Sequence, residues 1–195
     1  DWSEIFEMFN QLKREIKENF PYRVIEVDTA EADDIIGTLI IRQREKGEKV
    51  LIISSDKDFI QLQREENVSQ YSPATKKFLN GVDPQEYLKE HILRGDKGDG
   101  IPNVLSGDNV IVDGIRQTPI RKKNLELWMN GWLPKEHTLR FEINTELIDL
   151  RYTPQNVQLK ILEQKNTEPI GNRDKLPEYF KEHKLEVLEK HINDF

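Results

Sequence analysis

The sequence contains no cysteine among its 195 residues. Disulfides and thiolate-held metals are thereby excluded, and a reducing cytoplasm is the expected compartment. No apolar run approaches the roughly 20 residues that a membrane-spanning helix needs, so no membrane partner is expected. The opening Asp1-Trp2-Ser3-Glu4 is acidic and leads into an amphipathic stretch, unlike a secretory signal. A basic excess is lacking too: 36 acidic side chains stand against 29 basic ones, for a formal net charge of −7. As a total, that balance argues against a nucleic-acid partner. A total says nothing of distribution, however, and carboxylates gathered around divalent metals look acidic until the ions reverse the local field. The length suits one substantial domain, or a core with a smaller lobe.

Apolar periodicity supplies the organisation. Ile5, Phe6, Phe9, Leu12 and Ile16 recur at helical spacing, which predicts an amphipathic helix over 3–19 closed by Pro21. Tyr22–Val27 is β-prone. Asp28, with Glu31 three residues on, reads as a capping box for a helix from about Ala30 to Lys46. The run from Lys49 to Ser54 is a near-continuous apolar strand, the pattern of a strand covered on both faces. Strand, helix and strand in this order predict a βαβ unit with a parallel sheet. A short helix is expected over 58–63, and a hairpin from 68–71 and 77–79. Pro84 after Asp83 opens a further helix, with Tyr87, Leu88, His91 and Ile92 as its apolar stripe. A glycine-rich loop over 95–102 follows, 103–120 is ambiguous, and helices are expected near 121–130, 135–150, 154–164 and 174–192.

Three acidic clusters carry the chemistry: Glu31-Ala32-Asp33-Asp34, then Ser54-Ser55-Asp56-Lys57-Asp58, then Asp96-Lys97-Gly98-Asp99. Each alone has an ordinary explanation, since acids favour first helical turns and a Gly-Asp loop is often a solvated turn. Their order and placement say more. Ligands of open α/β sheets bind beyond the carboxyl ends of the strands, where Asp28 and Asp56 would bring the first two clusters to one rim. Carboxylates packed so closely repel unless a cation lies between them. Hard oxygen donors, with no His in the clusters, point to Mg²⁺, with Mn²⁺ as a substitute, rather than Zn²⁺. Two such ions about 4 Å apart suit in-line phosphodiester cleavage.

Glu-Ala-Asp-Asp, Ser-Ser-Asp-Lys-Asp-Phe and Gly-Asp-x-x-Asp-Gly-Ile-Pro-Asn, in this order, resemble the 5′-nuclease family. That family includes flap endonucleases, the 5′-nuclease domain of bacterial DNA polymerase I and phage exonucleases. The resemblance implies an α/β, parallel-sheet nuclease core of Rossmann-like, PIN type over 1–82. A helical DNA-binding region with a helix-turn-helix element would follow over 83–195. It makes Asp33 and Asp56 ligands of a first metal, with Glu31 acting nearby through water. Asp58, Asp96 and Asp99 would surround a second metal, with Asp34 behind the site. Glu31, Asp33, Asp56 and Asp58 would be the catalytic set. The loop from Gly95 to Val104 would meet duplex phosphates through Arg94, Lys97, Gly98, Gly100 and Ile101, with a K⁺ ion as a further expectation. The implied activity is 5′-3′ exonuclease and flap endonuclease action on primer RNA or flap DNA. Expected partners are DNA and RNA–DNA duplexes, with a sliding clamp or single-strand-binding protein, in the cytoplasm of a bacterial host.

Two departures stand beside the resemblance. The family's first strand, with its aspartate ligand, and its helical arch do not precede Asp1, so a truncated core is expected. A fragment that only binds forked duplex is therefore an open alternative, and a phosphatase-like α/β domain a weaker one. Asn103-Val104-Leu105-Ser106-Gly107 also replaces the family's Gly-Ile-Gly-x-Lys continuation, so an irregular second helix is expected. Lys76-Lys77 and Arg121-Lys122-Lys123 are further phosphate-track candidates. Trp128 and Trp132 are read as packing residues, and His91 as a core residue.

Overall fold

Residues 1–43 and 47–195 are described by the computed structural model. They divide into two compact units, one of residues 1–30 with 159–195 and one of residues 31–158.

The first unit is built on α1, Trp2–Asn19, where the apolar spacing predicts it. The Asp1 side chain accepts from the Ser3 amide at its start, and Phe20, preceding Pro21, turns extended at φ −94° and ψ 151° to end it. Among the described residues, only the C-terminal end of α1 packs. Ile16 and Phe20 join Leu176, Tyr179 and Phe180 in a core with Leu185, Ile192 and Phe195. Gly171 is required beside it, since a Cβ there would lie 2.3 Å from the Phe20 carbonyl oxygen. Trp2, Phe6, Met8 and Phe9, nearer the start, are exposed.

No strand forms over Tyr22–Val27, and the expected βαβ unit is replaced by another arrangement. Side chains take the place of a strand partner there: the Glu26 amide donates to Gln164 Oε1 at 3.0 Å, and Gln164 Nε2 donates back to the Glu26 carbonyl. Arg23 Nε donates to the Thr167 carbonyl at 2.7 Å. The expected helix over 174–192 is broken into a 3₁₀ turn at Arg173–Lys175, α7 at Leu176–Glu182 and α8 at Glu186–Glu189. Lys184 lies between the last two at φ +55°, a conformation that a continuous helix cannot hold.

The second unit opens with α2, Ala32–Gln43. It begins later than a cap at Asp28 would place it, because residues 27–30 form a turn with Thr29 at φ +70°. Asp34 supplies the capping instead, its Oδ2 accepting from the Glu31 amide at 3.1 Å. The expected helix end over 44–46 falls outside the described residues.

Beyond α2 come β1, Val50–Ile53, β2, Val68–Ser72, and β3, Lys77–Phe78, forming one sheet in that order. The pair β1–β2 is parallel, with Ile52 opposite Gln70, and β2–β3 is the antiparallel hairpin. The β1–β2 connection is a 3₁₀ segment, Asp58–Arg64, whose Phe59, Ile60, Gln61 and Leu62 are buried. Ile52 packs with Ile40, Phe59 and Leu62. The other face of β1 is not covered by the described residues: Leu51 is 52% and Ile53 68% exposed. Alternation along a strand decides this, since α2 and the 3₁₀ segment cover one side only.

Helical structure takes over at α3, Pro84–Arg94, with Asp83 accepting from the Gln85 and Glu86 amides as its cap. α4 is Lys122–Met129, α5 is Lys135–Ile148 and α6 is Gln155–Lys165. Leu88, Ile92, Ile101 and Ile148 pack together, as do Leu93, Val104 and Trp128. Trp132 is 78% exposed, so only the first of the tryptophan pair packs. The segment after the Gly95 loop is a series of turns, and the next helix is α4, starting at Lys122. Asn103 governs those turns: its Oδ1 accepts from the Leu105 amide and the Ser106 hydroxyl, and its Nδ2 donates to the Thr118 carbonyl.

Candidate metal centre

Three chain segments in the 31–158 unit deliver the carboxylates. α2 presents Asp33 and Asp34 from its first turn. The segment leaving β1 presents Asp56 and Asp58, and its shape is held by polar side chains. Gln70, fully buried on β2, donates to the Ser54 and Asp56 carbonyls. The Ser54 hydroxyl accepts from the Asp56 amide at 3.1 Å, and Asp56 Oδ1 accepts from the Asp58 amide at 3.0 Å. Ser55 and Ser72 hydroxyls meet at 2.9 Å.

The third segment is the loop after α3. Gly95 sits at φ +68°, and a Cβ on it would lie 2.4 Å from the Ile101 carbonyl oxygen, so no other residue fits. Asp96 Oδ1 accepts from the Gly98 and Asp99 amides at 2.7 and 3.3 Å. Asn144, fully buried on α5, donates to the Ile92 carbonyl at 3.0 Å and to the Pro102 carbonyl at 2.8 Å, tying both ends of the loop to one helix. Gln61 performs a similar role, donating to the Ile148 carbonyl and accepting from the Leu150 amide, each at 3.0 Å.

The segments meet around a small cavity of about 80 Å³ whose lining includes Glu31, Asp33, Asp58, His91, Asp96 and Asp99. Ligand atoms of Asp33, Asp56 and Asp58 lie within 4.8 Å of one another, and so do those of Asp58, His91 and Asp96. Asp58 is common to both groups. Glu31, Asp34 and Asp99 border the cavity without joining either group, and both Asp34 oxygens already have donors, Oδ1 the Thr153 hydroxyl at 2.8 Å and Oδ2 the Glu31 amide.

Electrostatics follow from that crowding. Burial pushes the Asp33 carboxyl up to about 6 from an ordinary 3.8, with Asp56, Asp58, Glu31 and Asp99 adding to it. Asp58 is also raised, by burial first; His91 opposes this, and Asp56, Asp96 and Asp99 reinforce it. Asp96 moves the other way. Burial works against its ionisation, but hydrogen bonds from His91, Gly98 and Asp99 outweigh it. Burial and then the anions at Asp58, Asp56 and Asp96 push the Tyr87 hydroxyl up to about 12.

The donor set fits divalent cations. Carboxylate oxygens of Asp33, Asp56 and Asp58 converge, and to the burial that chiefly raises Asp33 the neighbouring anions add a repulsion that a cation would remove. A buried nitrogen, His91 Nδ1, has no hydrogen-bond partner at the same cavity. His91, read from the sequence as a core residue, and Gln70 are the residues not assigned to the site there. Helical spacing assigned His91 to an apolar stripe, and only the packing of α3 on the 3₁₀ segment brings it to Asp58.

The residues expected to meet DNA lie along the same loop. Arg94, Lys97, Gly98 and Gly100 are exposed, with Arg94 Nε donating to Glu90 Oε1 at 2.6 Å. The Ile101 side chain is buried in the core, and its amide donates to the Asp96 carbonyl at 2.6 Å, leaving it a role in shaping the loop. Lys76, Lys77, Arg121, Lys122 and Lys123 are all exposed.

The N-terminal resolvase-like domain of 5′-3′ exonucleases matches residues 3–92, and the C-terminal domain of T4 RNase H matches residues 84–195. Ribonuclease H of Enterobacteria phage T4 is 32% identical over 206 residues, covering 100% of this chain and 68% of that protein. The 5′-3′ exonuclease of Buchnera aphidicola (subsp. Schizaphis graminum) is 38% identical over 96 residues, covering 46% of this chain and 33% of its own length. Among solved structures, the T5 flap endonuclease in a pseudo-enzyme-product complex with DNA and metal ions aligns with a TM-score of 0.57 at 22% identity. That alignment covers 85% of this chain and 70% of the T5 chain, and shows a shared α/β fold with a small sheet and many helices.

Proposed function

The chain belongs to the 5′-3′ exonuclease family, in the line that contains T4 ribonuclease H, and from that premise we propose a divalent-metal-dependent nuclease that hydrolyses phosphodiester bonds at 5′ ends. Its substrates in this reading are primer RNA and flap DNA at a replication fork. The observation that carries it is the meeting of two groups through Asp58, Asp33 with Asp56 and Asp58, and Asp58 with His91 and Asp96, from segments far apart in sequence.

Mg²⁺ is the favoured ion at the all-carboxylate group, because hard oxygen donors suit it. When bound, a pair of divalent cations supplies positive charge against the phosphodiester in its transition state and acidifies water. The chain's own residues supply the frame. Asp33 and Asp56 present oxygens from different segments, and Gln70 fixes the Asp56 backbone so that its carboxylate keeps its place. Asp58, Asp96 and Asp99 surround the second position, and Glu31 acts from the exposed edge through water. The raised Tyr87 hydroxyl stays neutral beside these anions, available as a hydrogen-bond donor.

The helical region over 83–195 contributes duplex binding in this reading. Arg94 and Lys97 lie beside the exposed Gly98 and Gly100, where their cations suit phosphate oxygens and the glycines let a backbone approach closely. A K⁺ ion on the 95–104 loop, and a clamp or single-strand-binding protein as partner in a bacterial cytoplasm, extend the same reading. The exposed cations at 76–77 and 121–123 would lengthen the phosphate track, and raising salt should then weaken binding steeply.

A 5′-labelled flap and a 5′-labelled RNA–DNA hybrid test the proposal. Mg²⁺ should support release of short 5′ products, EDTA should stop it, and Asp56→Asn should abolish it. Undiminished cleavage by that variant would sink the site assignment.

A further inference from the structure

His91 is the side chain at the cavity for which the nuclease reading has no task. It stands on the last turns of α3 with both ring nitrogens directed at carboxylates: Nε2 is 3.0 Å from Asp96 Oδ2, and Nδ1 is 3.4 Å from Asp58 Oδ1. The two contacts differ in kind. Asp96 accepts on both of its oxygens, from the Gly98 and Asp99 amides on one and from the ring on the other. A carboxylate has only lone pairs to offer, so Nε2 donates to Asp96; when that is the ring's one proton, Nδ1 carries a lone pair. Nδ1 is buried, makes no hydrogen bond and faces Asp58 Oδ1, and with the lone pair on Nδ1 the two atoms meet as acceptors.

Two acceptors held face to face are what a shared cation requires. Ligand atoms 3.4 Å apart, each about 2.1 Å from one ion, would subtend roughly 108° at it, an angle that tetrahedral and octahedral sites both accommodate. The partner of the opposite nitrogen completes the arrangement, because a metal-bound histidine characteristically donates its other N–H to a carboxylate that fixes tautomer and orientation.

We propose that His91 Nδ1 and Asp58 Oδ1 are ligands of the same divalent ion, with Asp96 orienting the imidazole from behind. This inference rests on the reading of the cavity as a divalent-metal centre. It makes the two adjoining positions unequal. Asp33, Asp56 and Asp58 offer only oxygen and suit Mg²⁺, whereas the position at His91 favours Mn²⁺ or Co²⁺ over Mg²⁺ through its nitrogen. It also gives Asp96 a different task from binding an ion itself. The shared Asp58 would couple occupancy of the two positions, and the transition ion would enter at the nitrogen side.

Mn²⁺ titrated into the full chain, followed by pulsed EPR, reads the proposal without relying on activity. A coordinated imidazole nitrogen gives ¹⁴N coupling to the bound Mn²⁺, expected in the wild type and absent in His91→Gln. His137, His183 and His191 remain in that variant as internal controls. Competition with Mg²⁺ should show the Mn²⁺ preference falling by about tenfold or more in His91→Gln, and in His91→Asn, which leaves an amide near the Nδ1 position. Asp96→Asn should keep the ¹⁴N signal while weakening Mn²⁺ by about 10–100-fold. Stoichiometric Mn²⁺ binding without ¹⁴N coupling in the wild type overturns this inference and leaves the metal centre standing. Coupling that survives in His91→Gln overturns it too. Failure of the chain to bind either ion overturns the underlying reading. Should neither His91 variant fold, the wild-type ¹⁴N signal still decides.

Discussion

Acidic side chains gather in both compact units, and the two units treat them in opposite ways. In the unit of residues 1–30 and 159–195, a concavity of about 550 Å³ is lined by Glu15, Glu18, Glu178 and Glu182 together with Lys175 and Tyr179. Donors meet acceptors there. The Tyr179 hydroxyl donates to Glu15 Oε2 at 2.7 Å, Gln11 donates to Oε1 of the same residue at 2.7 Å, and Lys175 Nζ donates to the Glu18 carbonyl at 2.9 Å. The hydrogen bond from Tyr179, followed by the one from Gln11, holds the Glu15 carboxyl below its ordinary range. In the 31–158 unit the carboxylates face one another around a cavity far smaller, and Asp33 is pushed up to about 6. The size of a concavity is thus a poor guide to chemistry. A carboxylate already supplied with donors has no need of an ion, whereas one supplied with other carboxylates does.

Removing the residue common to both groups should produce the largest effect. Asp58→Asn is expected to lower divalent-ion affinity by at least about 100-fold and to abolish cleavage, read by Mn²⁺ titration and by the flap assay. Asp34→Asn, at a carboxylate satisfied by Thr153, should leave ion binding within a few-fold of the wild type. Next come the supports of the loop. Gly95→Ala forces a Cβ against the Ile101 carbonyl at a left-handed φ. Asn144→Ala leaves two buried carbonyls without their donor. Each is expected to destabilise the chain by about 2–4 kcal/mol, measured by urea unfolding. An equal loss in ion affinity in the folded fraction would show that the loop also sets the site.

The pH dependence contributed by Asp33 and by Glu15 should differ in sign. Asp33 has a folded pKa above its unfolded value, so the folded state holds the extra proton between about 3.8 and 6. Stability of the metal-free protein should therefore fall as pH rises through that window, and Mg²⁺ should restore it. Glu15 has a folded pKa below 4.5. Its contribution is present above that value and is lost as pH falls through the lowered one. Tyr179→Phe should remove that contribution with the smallest effect of the series, seen as a return of Glu15 toward 4.5 in an NMR titration.

Much of the local structure was legible because short-range rules decide it. Asp83-Pro84 caps α3, the stripe from Ile5 to Ile16 builds α1, and the hairpin of β2 and β3 follows from alternation. Tyr22–Val27 misled because strand propensity cannot reveal a partner, and here Gln164 satisfies the backbone that a strand would have paired. The apolar run of β1 read as buried on both faces, yet one face is covered and the other exposes Leu51 and Ile53 among the described residues. At the site, the acids announced themselves through clustering at segment starts and ends. His91 and Gln70 did not, since each works through contacts that tertiary packing creates: Gln70 across the parallel pair, and His91 across α3 to the segment after β1.

In the proposed centre, Asp33, Asp56 and Asp58 share a divalent ion. Anomalous diffraction from crystals grown with Mn²⁺ tests it most directly. A peak in contact with all three carboxylates is expected, and a second near Asp58 and His91. Full-occupancy Mn²⁺ elsewhere on the molecule, with none at these carboxylates, would contradict it.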